Sequence, residues 1–89
     1  MAAFFARIRG RVQGVGFRYS AIQEARGLGI AGWVRNDANG DVEVWAEGPP
    51  EKLAAFLRWL KKGPPYAHVE AVDREEKQPK GYREFGVEY

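Results

Sequence analysis

FFARIRGRVQGVGFR, residues 4–18, changes its period partway along, and that change decides the fold. From Phe4 to Arg11 the residues alternate. Phe4, Ala6 and Ile8 share one face, and Phe5, Arg7, Arg9 and Arg11 the other, as in a strand with one buried face. From Phe17 the spacing lengthens, and Phe17, Ala21, Ile22, Ala25 and Leu28 make the apolar face of a helix over 17–28. Between the two lies a loop with Gly10, Gly14 and Gly16, where the backbone can turn sharply and aim its N–H groups inward. A helix that starts just beyond such a loop adds its own free N–H groups and the positive end of its dipole. Together they form an anion cradle, most often for phosphate. Arg18 adds a forked, permanently charged guanidinium in the first helical turn. The ATP-binding P-loop needs Gly-Lys-Ser/Thr where Gly16-Phe17-Arg18 stands, and the dinucleotide fingerprint needs a glycine where Tyr19 stands, so both are excluded. On spacing alone, a tight turn with a surface arginine and an anion site both remain open.

The same patterns place the other elements. Ile30–Asn36 reads as a second strand, centred on Gly32, Trp33 and Val34. Asp37-Ala38-Asn39-Gly40-Asp41 is turn chemistry, and Asn39-Gly40 is a strong hairpin signal. The return strand is Val42–Glu47, with Val42, Val44 and Ala46 on one side and Glu43, Trp45 and Glu47 on the other. Trp33 and Trp45 are expected to meet across the hairpin as packing residues. Gly48-Pro49-Pro50-Glu51 opens a second helix, whose Leu53, Phe56, Leu57 and Leu60 fall on one face. Lys61 and Lys62 suit its last turn, Gly63 caps it and Pro64-Pro65 stop it. A polar strand over 67–75 follows, then a polar loop at 76–81 and a short final strand over 82–89. The arginine row of the first strand reads as a solvated face.

Strand, helix, strand, hairpin, strand, helix, strand is βαββαβ with an additional tail strand. This predicts an α+β, ferredoxin-like sandwich: an antiparallel sheet, two helices on one face and a short C-terminal fifth strand. The first and third strands should be central neighbours. The cradle then lies at the end of the sheet where the second strand exits, which brings Asn36 within reach of it.

Composition narrows the chemistry. Residues 1–89 are enough for one domain with a modest core. The net charge of +2 is too small to argue for nucleic acid without a basic patch or motif. With no cysteine, there is no disulfide, thiol nucleophile or thiolate-bound zinc, and a single histidine leaves little scope for a histidine metal site. No apolar run approaches a membrane span and no signal-peptide pattern opens the chain. A soluble, cytoplasmic, monomeric protein without membrane or nucleic-acid partners is expected.

Two segments, GRVQGVGFR at 10–18 and GWVRNDANGDVEVWAEG at 32–48, resemble the signature regions of acylphosphatases. WLKKGPPYAHVEAV at 59–72 and YREFGVEY at 82–89 resemble the family's second helix with its following strand, and its last strand, so the likeness spans nearly the whole chain. The resemblance implies hydrolysis of an acyl phosphate to a carboxylate and inorganic phosphate. The motif arginine that holds the phosphate corresponds to Arg18, and the asparagine that orients the attacking water corresponds to Asn36. The loop positions Arg11, Val12, Gln13, Gly14, Val15 and Gly16 correspond to those supplying N–H groups. The family needs no metal or cofactor, and phosphate is expected as product and competitive inhibitor. At Gly16 several members carry a side chain, including cysteine; glycine there leaves the loop looser when unfolded.

That chemistry is compatible with the residue inventory. An acyl phosphate is a mixed anhydride whose leaving carboxylate needs little protonation, so no strong general acid is required. Phosphoryl transfer is catalysed largely by positioning and charge. Two other readings compete. One is a binding module presenting the cradle or a sheet face to a regulatory ligand, since this fold hosts many functions. The other is a related domain that handles carbamoyl phosphate within larger maturation factors. An RNA-binding sheet would carry its glycine-aromatic motif on a strand, whereas Gly14-Val15-Gly16-Phe17 falls in a loop.

Overall fold

The computed structural model describes residues 1–89 and contains seven elements: β1 (Ala2–Arg11), α1 (Phe17–Gly27), β2 (Ala31–Asn36), β3 (Val42–Gly48), α2 (Pro50–Lys62), β4 (His68–Lys77) and β5 (Phe85–Val87). The strands form one sheet in the order β4-β1-β3-β2-β5, with β1 and β3 central. Val34 lies opposite Val44, which also faces Ala6, while Ile8 pairs with Val42, so the three inner strands lay their small and branched residues in rows on one face. Both helices bury their apolar faces on these rows. Phe17, Ala21 and Ala25 of α1 join Leu53, Phe56 and Leu60 of α2 and Phe85 of β5 in a single core. The two tryptophans are register partners across the hairpin, as their spacing predicts.

One expectation needs correction. The sheet is antiparallel from β4 to β2, but β5 runs parallel to β2. The cause is where the chain leaves β4. Lys77 pairs with Ala3, at the end of the sheet away from Arg11, and β2 begins at that same end, where Ala31 pairs with Glu47. The connection at 78–84 passes from one edge of the sheet to the other without changing ends. β5 therefore starts beside the start of β2 and runs the same way. Its direction delivers the C-terminus to the end of the sheet that carries the Gly-rich loop.

Local chemistry sets the junctions. Pairing between β1 and β4 slips at Arg9/Gly10, and a Cβ on Gly10 (φ 127°) would lie 2.1 Å from the His68 carbonyl oxygen. Only glycine fits this bulge, which bends the end of β1 into the loop. Gly29 closes α1: its N–H donates to the Arg26 carbonyl and that of Ile30 to the Ala25 carbonyl. α2 starts on Pro50 with Glu51 in its first turn and ends at Gly63, as read from the sequence.

The second face of β3 is also buried. Glu43 and Glu47 are 4% and 1% exposed. Alternation put them on one side together, but only the assembled fold covers that side. Arg7 and Arg35 close over Glu43, and the connection at 80–82 closes over Glu47. The outer strand β4 is mostly exposed and carries Asp73, Arg74, Glu75, Glu76 and Lys77, a charged edge that resists pairing with another sheet. No helix is long and apolar enough to cross a membrane.

Candidate active site

The loop between β1 and α1 is a row of unused donors. Gly14 (φ 74°) and Gly16 (φ 77°) both adopt the left-handed conformation, which costs a side-chain-bearing residue energy. From Val12 to Tyr19 no backbone N–H donates to a backbone carbonyl, and α1 makes its first turn bond only from Ser20 N–H to the Gly16 carbonyl, at 3.0 Å. Gly16, the residue before the helix, offers no side-chain cap, and no acidic residue sits in the first turn. The positive end of α1 therefore faces outward with its donors free.

Phe17 anchors this end. It is buried and meets Trp59 of α2 at a ring separation of 5.5 Å. With Phe17 held in the core, the next residue, Arg18, reaches a cavity of about 280 Å³ that Val12, Gly14, Gly16 and Asn36 also line. Arg7, Arg9, Arg35 and Arg74 are all committed to carboxylates, whereas Arg18 makes no ion pair. Asn36, the last residue of β2, contributes an amide whose Oδ1 is buried without a hydrogen-bond partner. Such orphaned acceptors are costly and concentrate at functional sites. Arg11, Gln13 and Val15 are not part of the cavity wall. Arg11 ends β1 opposite His68, and Val15 packs against the core.

Gln13 is turned toward the hairpin instead. Its Nε2 donates to the carbonyls of Asp37 (2.7 Å) and Asp41 (2.9 Å), the two ends of the turn that follows Asn36. From below, Arg7 donates to Asp37 Oδ2 (2.9 Å) and to Glu43 Oε2 (2.5 Å), and Arg35 donates to Glu43 Oε1 (2.6 Å). Burial alone would make the Arg7 guanidinium easier to deprotonate. The hydrogen bond with Asp37 and the charges of Glu43 and Asp37 outweigh it and hold Arg7 above its ordinary value. This network fixes the turn, and with it Asn36, against the loop. The arginine row is therefore not simply a solvated face: Arg7 is half-buried at the centre of the network, while Arg9 forms an exposed pair with Asp73. A sequence signal for part of it existed, because Arg7, Glu43 and Arg35 occupy one register row once the strands are paired.

The cavity wall contains no acidic side chain and no imidazole. Outward N–H groups and a fixed cation can hold a tetrahedral oxyanion, and a side-chain amide beside them can hold a small polar molecule. The wall offers no acidic or imidazole side chain to protonate a poor leaving group, so the reactions it suits best have a leaving group stable as an anion. A larger depression of about 650 Å³ between the helices, lined in part by Ser20, Glu24, Trp59 and Lys62, holds neither Arg18 nor the loop, so volume alone does not mark the site. No group of three or more His, Cys, Asp or Glu is placed to hold a metal ion.

A family model described as Acylphosphatase matches residues 4–87. An acylphosphatase of Nocardioides sp. is 54% identical over 80 residues, which cover 90% of this chain and 81% of that protein. One from Thermococcus kodakarensis is 51% identical over 81 residues, covering 91% of this chain and 89% of its own length. The crystal structure of acylphosphatase from Bacillus subtilis is similar over the full length of both chains, with a TM-score of 0.97 at 39% identity.

Proposed function

Since this chain belongs to the acylphosphatase family and hydrolyses acyl phosphates to a carboxylate and inorganic phosphate, we propose that a water oriented by Asn36 attacks a phosphoryl group held by Arg18 and the loop N–H groups of Arg11 to Gly16. The attack forms a bond from the water oxygen to phosphorus and breaks the bond from phosphorus to the acyl oxygen. The electron pair leaves with the carboxylate, and one proton of the water passes to a phosphate oxygen. The loop N–H groups and the guanidinium spread the charge of the transferring group without moving, which is where most of the catalysis of such a reaction lies. The amide of Asn36 carries both a donor and an acceptor, so it can hold a water in line with the leaving oxygen. The observation that carries the reading is that Arg18, which has no ion-pair partner, and Asn36, whose Oδ1 is unsatisfied, line one cavity with a loop of free N–H groups.

The reading extends to inorganic phosphate as a competitive inhibitor, to independence from metals and cofactors, and to a monomer in the cytoplasm. The charged β4 edge favours the monomer, and a chain without cysteine suits a reducing compartment.

Paired substitutions test the two roles. Arg18→Gln removes charge and the bidentate fork, so phosphate affinity and turnover should both fall, and Arg18→Lys should rescue poorly. Asn36→Ala should keep phosphate affinity and lower turnover on the order of a hundredfold, as expected for losing one positioning group. Circular dichroism should show both variants folded, because Asn36 borders the hairpin turn. Normal turnover in Asn36→Ala, or parental phosphate affinity in Arg18→Gln, would refute the assignment.

A further inference from the structure

Six large apolar side chains of this protein are exposed, and three of them, Tyr19, Val87 and Tyr89, line the cavity that holds Arg18 and Asn36. Two separate parts of the chain bring them there. Tyr19 follows Arg18 in the first turn of α1, and Ile22, one turn on, lines the cavity with it. Val87 ends β5 opposite Val34, and the Glu88 N–H donates to the Val34 carbonyl at 2.9 Å. This pairing keeps the C-terminus beside the strand that ends in Asn36. Tyr89 is 98% exposed, so nothing in the protein packs on its ring, yet the ring centroid lies 6.0 Å from the Arg18 guanidinium carbon. The cavity wall thus joins loop backbone, a cation and an amide to aromatic and aliphatic side chains.

We infer that Tyr19, Ile22, Val87 and Tyr89 form the acyl subsite, and that it favours aromatic and bulky apolar acyl groups over small ones. The inference rests on the phosphoryl-binding reading above. In an acyl phosphate one bridging oxygen joins phosphorus to the acyl carbon. With the phosphoryl group at the loop and Arg18, the acyl substituent must lie at the mouth of the same cavity, against these four side chains. A phenyl ring there covers apolar surface that water otherwise wets, while a methyl group covers little of it. The Tyr89 ring can also stack on an aromatic acyl group while it faces the guanidinium. No acidic side chain lines the cavity, and among these four residues the only polar side-chain groups are the tyrosine hydroxyls, so recognition depends on shape and apolar contact.

The test compares kcat/KM for benzoyl phosphate and acetyl phosphate in the parent, Tyr89→Ala and the double variant Tyr19→Ala/Tyr89→Ala. Tyr66→Ala is the control, since Tyr66 is 83% exposed and lies outside this cavity. The benzoyl-to-acetyl ratio should fall about 3–10-fold in Tyr89→Ala and further in the double variant, and should hold in the control. Comparing each variant with the parent cancels the different intrinsic reactivities of the two substrates. A parent active on both whose ratio survives Tyr89→Ala overturns the subsite alone. So does an equal fall for both substrates, because Tyr89 would then be acting on Arg18. A parent that hydrolyses neither overturns the subsite together with the reading beneath it.

Discussion

Replacing Glu47 with glutamine should unlatch the connection that carries the chain from β4 to β5. Glu47 is 1% exposed and accepts four hydrogen bonds. Its Oε2 accepts from Trp45 Nε1 (2.8 Å) and the Lys80 N–H (2.5 Å), and its Oε1 from the N–H groups of Gly81 and Tyr82 (both 3.1 Å). A carboxylate is acceptor-only, whereas glutamine presents one oxygen and one NH₂. In either orientation two of the four donors face another donor. An orphaned buried donor costs roughly 1–3 kcal/mol, and the surviving bonds lose their charge assistance. Glutamine avoids desolvating a charge, which offsets part of this, so a loss of about 2–4 kcal/mol is expected. For a domain of this size, that lowers Tm by roughly 10–25 °C.

The pH dependence has a definite sign. Burial pushes the Glu47 carboxyl up, but the hydrogen bonds, led by the Lys80 backbone and the Trp45 indole, outweigh it and hold the group below the ordinary glutamate value. The unfolded chain therefore binds this proton more tightly than the folded one. The stabilisation is complete above the unfolded value of about 4.3 and is lost as pH falls through the folded value. Thermal melts of parent and Glu47→Gln at pH 7 and at successively lower pH measure both effects. The gap in Tm should be widest at pH 7 and should close in acid. A gap under about 3 °C at pH 7, or one that does not narrow in acid, would refute this account of Glu47.

Gln13→Ala removes both bonds from the loop to the hairpin turn, each worth roughly 1 kcal/mol, so turnover should fall by up to about thirtyfold while circular dichroism stays parental; full activity would show that the latch does not position the site. Inorganic phosphate should inhibit competitively and less well as salt rises, because Arg18 holds it by charge at a site open to solvent; steady-state kinetics at two ionic strengths checks this, and a non-competitive pattern would contradict it. Activity should survive dialysis against chelators, and restoration of a lost rate by added magnesium or zinc would contradict a mechanism built on N–H groups and Arg18.

Short-range patterns in the sequence determined most of the architecture. The two-residue alternation of Phe4–Arg11, the helical spacing of Leu53, Phe56 and Leu60, and the Asn39-Gly40 turn depend on neighbours within a few residues, so element order, the central β1–β3 pair and the helical face were legible without coordinates. The places of Arg18 and Asn36 were legible because each adjoins such an element, one just inside a helix and the other at the end of a strand; the roles proposed for them come from the family resemblance. Long-range closure decided the rest. The parallel course of β5, the burial of Glu47 under residues 80–82, the Gln13 latch on the hairpin and the gathering of Tyr19, Val87 and Tyr89 around Arg18 join segments far apart in the chain. No local spacing encodes these contacts. A glutamate on the second face of a strand reads as solvated until another segment crosses above it, and an exposed tyrosine at a chain end acquires a neighbour only when the strand before it has a direction.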